Sequence, residues 1–116
     1  MIHKSKLYQK EQHDIITKII NILNLDAENS ILLYDIDNDE SKKKKIMDLI
    51  PDIRKYFTYG SIIGVKEPEK SKRPYLSIIR KITKMKYIMT HCDHRIYKDG
   101  QEPIRTIKYI FTIKDT

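Results

Sequence analysis

Cysteine is nearly absent from this chain, glycine and proline are sparse, and no apolar run approaches the length of a membrane span. Each shortage closes off a class of protein. A single cysteine, Cys92, cannot form an internal disulfide and points to a reducing compartment inside a cell. The three glycines, Gly60, Gly64 and Gly100, are too scattered to cradle a phosphate and suit turns instead. Met1-Ile2-His3-Lys4-Ser5 carries no apolar core of a signal peptide. No repeat, low-complexity tract or Gly/Ser linker divides the 116 residues. The expectation is one soluble, intracellular domain over residues 1–116, large enough to fold without staples.

What is present is charge. Charged residues make up 34% of the chain against 40% hydrophobic, which implies a small core, largely of isoleucine, under a heavily solvated surface. Lysine outnumbers arginine 18 to 5, and the Ile/Lys/Asn/Tyr bias is what an AT-rich genome imposes, so part of the lysine count reflects codons. The distribution says more than the net +7: residues 1–40 hold four Lys and eight Asp/Glu, net −4, while residues 41–116 hold nineteen Lys/Arg and eight Asp/Glu, net +11. Such a split marks either a surface that meets a polyanion or a basic protein whose charges are merely solvated.

Hydrophobic periodicity predicts a helix over residues 7–24, with Ile15, Ile16, Ile19, Ile20 and Leu23 on one face. The short run Ile31-Leu32-Leu33-Tyr34 reads as a buried strand or a helical turn. The acidic string Asp35-Ile36-Asp37-Asn38-Asp39-Glu40 precedes Ser41 and four lysines, so a helix capped by Asp39 or Ser41 is expected there, burying Ile46, Met47, Leu49 and Ile50. Pro51 ends it and opens a second short helical piece over 52–57. Residues 58–70 read as a connector. A third helix over 72–86, with Pro74 in its first turn, puts Tyr75, Ile78, Ile79, Ile82 and Met85 on one face and Ser77, Arg80, Lys81 and Lys84 on the other. Residues 87–97 and 104–113 are rich in Tyr, Ile, Thr and Phe around Asp99-Gly100, a strong hairpin signal. A turn at those two residues places Ile88, Cys92 and Ile96 on the side of Ile107 and Phe111.

Helix, short strand, helix, helix and a two-stranded ribbon resemble, in that order, the winged-helix domain, a helix-turn-helix whose C-terminal hairpin forms the wing. The resemblance covers nearly the whole chain but rests on element order and charge placement, without an invariant motif, and the connector at 58–70 is longer than the usual turn. It implies an α+β fold and binding of nucleic acid, duplex DNA above RNA, with the third helix in the major groove. That places Lys70, Lys72, Arg73, Ser77, Arg80, Lys81 and Lys84 toward DNA, with Arg73 and Arg80 suited to bases and the lysines to phosphates. The wing adds Arg95, Lys98 and Arg105, and Lys42, Lys43, Lys44 and Lys45 reach flanking phosphates. A transcription regulator or genome-associated factor follows, from a large DNA virus or an AT-rich microbe, with a homodimer as a further expectation. The alternative is an interaction module, in which the acidic first helix meets a basic partner.

Sharper chemistry finds little support. His91-Cys92-x-His94 offers zinc-ligating types, but on a strand His91 points away from the other two and no second Cys pair completes a tetrahedron. Asp35-x-Asp37-x-Asp39 opens like a calcium loop, then has Glu40 where glycine is required and Ile46 where glutamate is. Cys92 beside a histidine is better read as packed on the core side of the hairpin than as a nucleophile. Among the tyrosines, Tyr97 near the ribbon tip is best placed to stack on a base. No enzyme, cofactor, metal or membrane partner is expected.

Overall fold

The computed structural model describes residues 4–57 and 72–114; the expected connector, with Lys70, lies outside the described residues. The first helix, α1 (Lys4–Leu23), buries Ile15, Ile19, Ile20 and Leu23, the face its periodicity predicts. It stops because Asn24 turns left-handed, at φ 58°. The Asn24 N–H then donates to the Asn21 carbonyl at 3.2 Å and the Leu25 N–H to the Ile20 carbonyl at 3.0 Å. This is a Schellman closure, and it drops the buried Leu25 onto the helix it has just ended.

The apolar run that follows is both of the things its sequence allowed. Strand β1 (Ser30–Leu32) passes directly into a short helix, α2 (Leu33–Asp37), which buries Leu33 and Ile36. Asp35 and Asp37 therefore lie in a helix of their own, ahead of the next one. That next helix, α3 (Glu40–Met47), is capped as predicted: Asp39 Oδ1 accepts from the Lys42 N–H at 3.0 Å. Helix α4 (Ile50–Tyr56) holds Pro51 in its first turn, where a missing donor costs nothing, and buries Ile50 and Ile53. Helix α5 (Pro74–Thr83) buries Tyr75, Ile78, Ile79 and Ile82, but is shorter than the 72–86 expected. Residues 84–86 form a turn into the sheet, which leaves Met85, expected on the buried face, 50% exposed. Thr83, also buried, donates its hydroxyl back to the Ile79 carbonyl, so no polar atom there is left alone.

The sheet corrects two expectations. It has three strands, not two: β2 (Tyr87–Ile96) pairs antiparallel with β3 (Ile104–Ile113), and β1 pairs antiparallel with the other edge of β3, giving the order β1-β3-β2. A partner some 80 residues away along the chain, Ser30 opposite Ile110, is not announced by any local pattern. The second correction is register. Ile96 opposes Ile104, so residues 97–103 form the loop, with Gly100 left-handed at φ 72°, in place of a two-residue turn. This moves the pairing by one residue, and a one-residue slip exchanges the faces. Tyr87 and Met89 share the core side with Tyr109 and Phe111, while Ile88, Cys92 and Ile96 lie on the other. Tyr87 meets Phe111 edge-on, centroids 6.1 Å apart. Ile88 is 52% exposed and Cys92 is exposed, not packed.

Candidate nucleic-acid interface

The buried stripe of α5 dictates its polar one. With Ile78, Ile79 and Ile82 fixed inward, Arg80 and Lys81 in the last turn and Lys84 at the C-cap are exposed, and among the described residues none of the three has an ion-pair partner. Cations at that end are favoured by the helix macrodipole, which accounts for part of their placement. Ser77 is half-buried and Lys72 exposed.

The other end of α5 is tied down. Arg73 Nε donates to both carboxylate oxygens of Asp37 at 3.0 Å, across 36 residues of sequence. The Tyr75 hydroxyl donates to the same carboxylate. The hydrogen bond to Asp37 and its charge raise the Arg73 pKa further. Burial first, then the same carboxylate, pushes the Tyr75 phenol up to about 12. Lys43 completes the junction: its Nζ donates to the Asp37 backbone carbonyl at 2.7 Å, pairs with Glu40 at 2.7 Å and lies 5.6 Å from the centre of the Tyr75 ring. Arg73, expected to read bases, is thus held against α2.

The four consecutive lysines do not form one patch. Successive residues of a helix turn by about 100°, so they point four ways. Lys43 enters the Asp37 junction, Lys44 pairs with Asp48 at 3.0 Å in an exposed i,i+4 contact, and Lys45 is exposed without a partner among the described residues. Lys42 is half-buried beside an open cleft of about 450 Å³ near β1, together with Lys108, His94, Asp35, Glu28 and Ser30. Sequence reading missed Lys108 and weighed His94 only as a metal ligand or beside Cys92; strand alternation puts both on one side, a signal hidden by the pairing that brings β1 alongside.

On the hairpin, Arg95 stands directly opposite Arg105, and both are exposed. The Lys114 N–H donates to the Lys86 carbonyl at 3.1 Å, which sets the alternation of the ladder. Even-numbered residues of β2 turn their backbone groups to β3, and odd-numbered ones turn them outward. Arg95 and Arg105 therefore form a non-hydrogen-bonded pair, the closer kind, with Cα atoms about 4.5 Å apart. With Asp93, His94 and Thr106 they line a shallow pocket of about 200 Å³. Lys98 instead folds back, its Nζ 3.3 Å from the Tyr34 hydroxyl and 5.4 Å from that ring's centre. Tyr97 is 73% exposed.

The sites that resembled metal centres are taken apart by the fold. His91 lies on the core side against Tyr109, 6.2 Å between centroids, opposite Cys92 and His94, and Asp37 and Asp39 are engaged by Arg73 and by the α3 cap. Among the described residues no group of three His, Cys, Asp or Glu could hold a metal ion, and no helix is long and apolar enough to cross a membrane. No protein-family model, curated protein or solved structure matches the chain.

Proposed function

We propose that this protein binds a nucleic acid, duplex DNA above RNA, as a winged-helix domain serving transcription or the maintenance of a genome. The observation that carries the reading is the Arg95–Arg105 pair. Like charges directly opposite on a strand pair are destabilising, and a phosphate seated between them removes the repulsion. The exposed Arg80, Lys81 and Lys84 on α5, with Lys45 and Lys72, add cations that the fold does not neutralise. The element order, with α5 followed at once by the hairpin, supports the winged-helix reading. Arg73, at the end of α5 that winged-helix docking turns toward the bases, is held through its Nε by Asp37, while Arg80 stands exposed in the last turn.

The interaction-module reading has less behind it. Helix α1 is not acidic, holding Glu11 and Asp14 against four lysines, and Asp37, Asp39 and Glu40 already have partners within the fold. A free acidic face for a basic partner is correspondingly small.

Fluorescence anisotropy with a labelled DNA duplex at about 50 mM and about 200 mM salt tests the proposal, because releasing several counterions makes affinity fall steeply over that range. Arg80→Ala/Lys81→Ala/Lys84→Ala and Arg95→Ala/Arg105→Ala should each weaken binding and flatten the salt slope by roughly one per cation removed. Competition with duplex RNA separates the two polymers. No complex at the lower salt ends the proposal.

A further inference from the structure

We infer that β2 is a dimerisation strand, which pairs antiparallel with β2 of a second copy and extends the sheet across a twofold axis at Cys92. The sheet order β1-β3-β2 leaves β2 as an edge. Among the described residues nothing pairs with its outer side, where Tyr87, Met89, His91, Asp93 and Arg95 direct their N–H and carbonyl groups. Proteins that stay monomeric guard such edges with charged side chains, lysine above all, with proline, a bulge or brevity. β2 is ten residues long, contains no lysine or proline, confines its two charges, Asp93 and Arg95, to its distal half, and keeps one unbroken register with β3 throughout. The opposite edge differs: β1 is three residues long and leads straight into α2.

The strand's own sequence selects the partner and the register. A twofold axis perpendicular to the sheet keeps each face on its own side, so only registers that join residues of like parity are allowed. Centred on Cys92, the pairing runs from Ile88 to Ile96 and leaves only Tyr87 beyond it. It sets His91 opposite Asp93 of the second copy on both sides of the axis, the exposed Ile88 opposite Ile96, and Thr90 opposite His94. Centred one residue later, Asp93 meets itself and His91 meets Arg95; centred one earlier, His91 meets itself and Asp93 meets Met89. Of the three, only the register centred on Cys92 gives Asp93 a hydrogen-bonding partner in His91 and leaves neither residue facing itself. In it the two Cys92 residues form a non-hydrogen-bonded pair with Cα atoms about 4.5 Å apart, inside the range a disulfide spans. The inference stands apart from nucleic-acid binding and is tested without it.

Sedimentation equilibrium of the full chain in reductant should show a mass rising with concentration toward twice 13.9 kDa. A thiol oxidant, accepting two electrons as two thiols lose their protons, should then join the Cys92 pair rapidly. Cys92→Ser should keep the dimer mass and lose the crosslink. Moving the thiol reads the register: Thr90→Cys in the Cys92→Ser background should not crosslink, and adding His94→Cys should restore it. Asp93→Pro removes an outward N–H while leaving the ladder to β3 whole, so a monomer is expected. Should that variant fail to fold, Asp93→Lys leaves the backbone intact, sets a cation opposite His91, and should raise the dimer dissociation constant tenfold or more. A wild-type chain that stays monomeric at every concentration overturns the inference. So does crosslinking by Thr90→Cys alone, or an Asp93→Lys chain that dimerises like the wild type.

Discussion

Two charged regions of this molecule are built on opposite terms. Where α2, α3 and α5 meet, the Asp37 carboxylate takes Arg73 and the Tyr75 hydroxyl, and its backbone carbonyl takes Lys43, so that one residue of α2 ties down groups from both other elements. In the distal half of the hairpin, Arg95 faces Arg105 with no acid bonded to either among the described residues, and most side chains of β2 look into solvent. The junction turns charge into fixed geometry. The hairpin leaves its arginines without an ion pair among the described residues, with Asp93 beside them in the same shallow pocket. Counting lysines and arginines treats the two alike, and only the location of the acids tells them apart.

The contrast can be broken most forcefully through the core on which the junction rests. Ile78, fully buried on α5, becomes a cavity in Ile78→Ala, and a loss of about 2–5 kcal/mol is expected by urea denaturation. Ile88→Ala on the exposed side of β2 should cost about 0.5 kcal/mol or less by the same measurement at concentrations where the chain is monomeric. Next in size is Asp37→Ala. It removes the acceptor of the hydroxyl of buried Tyr75 and one partner of Arg73, and about 1–3 kcal/mol should be lost, most of it at Tyr75.

The junction should also have a signature in pH. The Tyr75 phenol titrates near 10 when unfolded and is pushed up to about 12 in the fold, so the folded chain holds this proton more tightly. Its contribution to stability is fully present below pH 10 and is lost as the pH rises from 10 to about 12. Tyr75→Phe should remove that part of the alkaline decline in a series of melts. Smallest is the effect that separates the two regions most cleanly. Arg105→Glu should leave stability unchanged or raise it by about 0.2–1 kcal/mol, because a like pair becomes an opposite one. In the anisotropy assay the same variant should bind DNA more weakly than the wild type. A hairpin that loses stability with this change would show that the arginine pair is structural.

Much of the scaffold was legible in the residues, and the reasons are local. The isoleucine spacing of α1, the Asp39 cap, Pro51 in the first turn of α4 and the existence of the hairpin all depend on neighbours within a few positions. The errors are of another kind. Asp99-Gly100 predicts a tight turn and with it the opposite hairpin face, whereas the loop spans 97–103 and shifts the pairing by one residue. Cys92 thereby moved from core to surface. For the candidate site, the exposure of Arg80, Lys81 and Lys84 followed from helical spacing. The capture of Arg73 and Lys43 by Asp37 did not, since it depends on α2 and α5 meeting across 36 residues. The four lysines looked like one patch only because a written sequence has no helical rotation.

The attachment of β1 to the last strand also sets an order of events. Ser30 has to wait for Ile110, so the sheet stays open at one side until some 80 further residues have been synthesised. Contacts this distant in sequence slow folding, because the intervening chain loses its freedom before the contact rewards it. The helices can gather early, but the hairpin strand that completes them arrives late. Until then an apolar β1, with its backbone groups unmet, is what a nascent chain of this protein offers to chaperones.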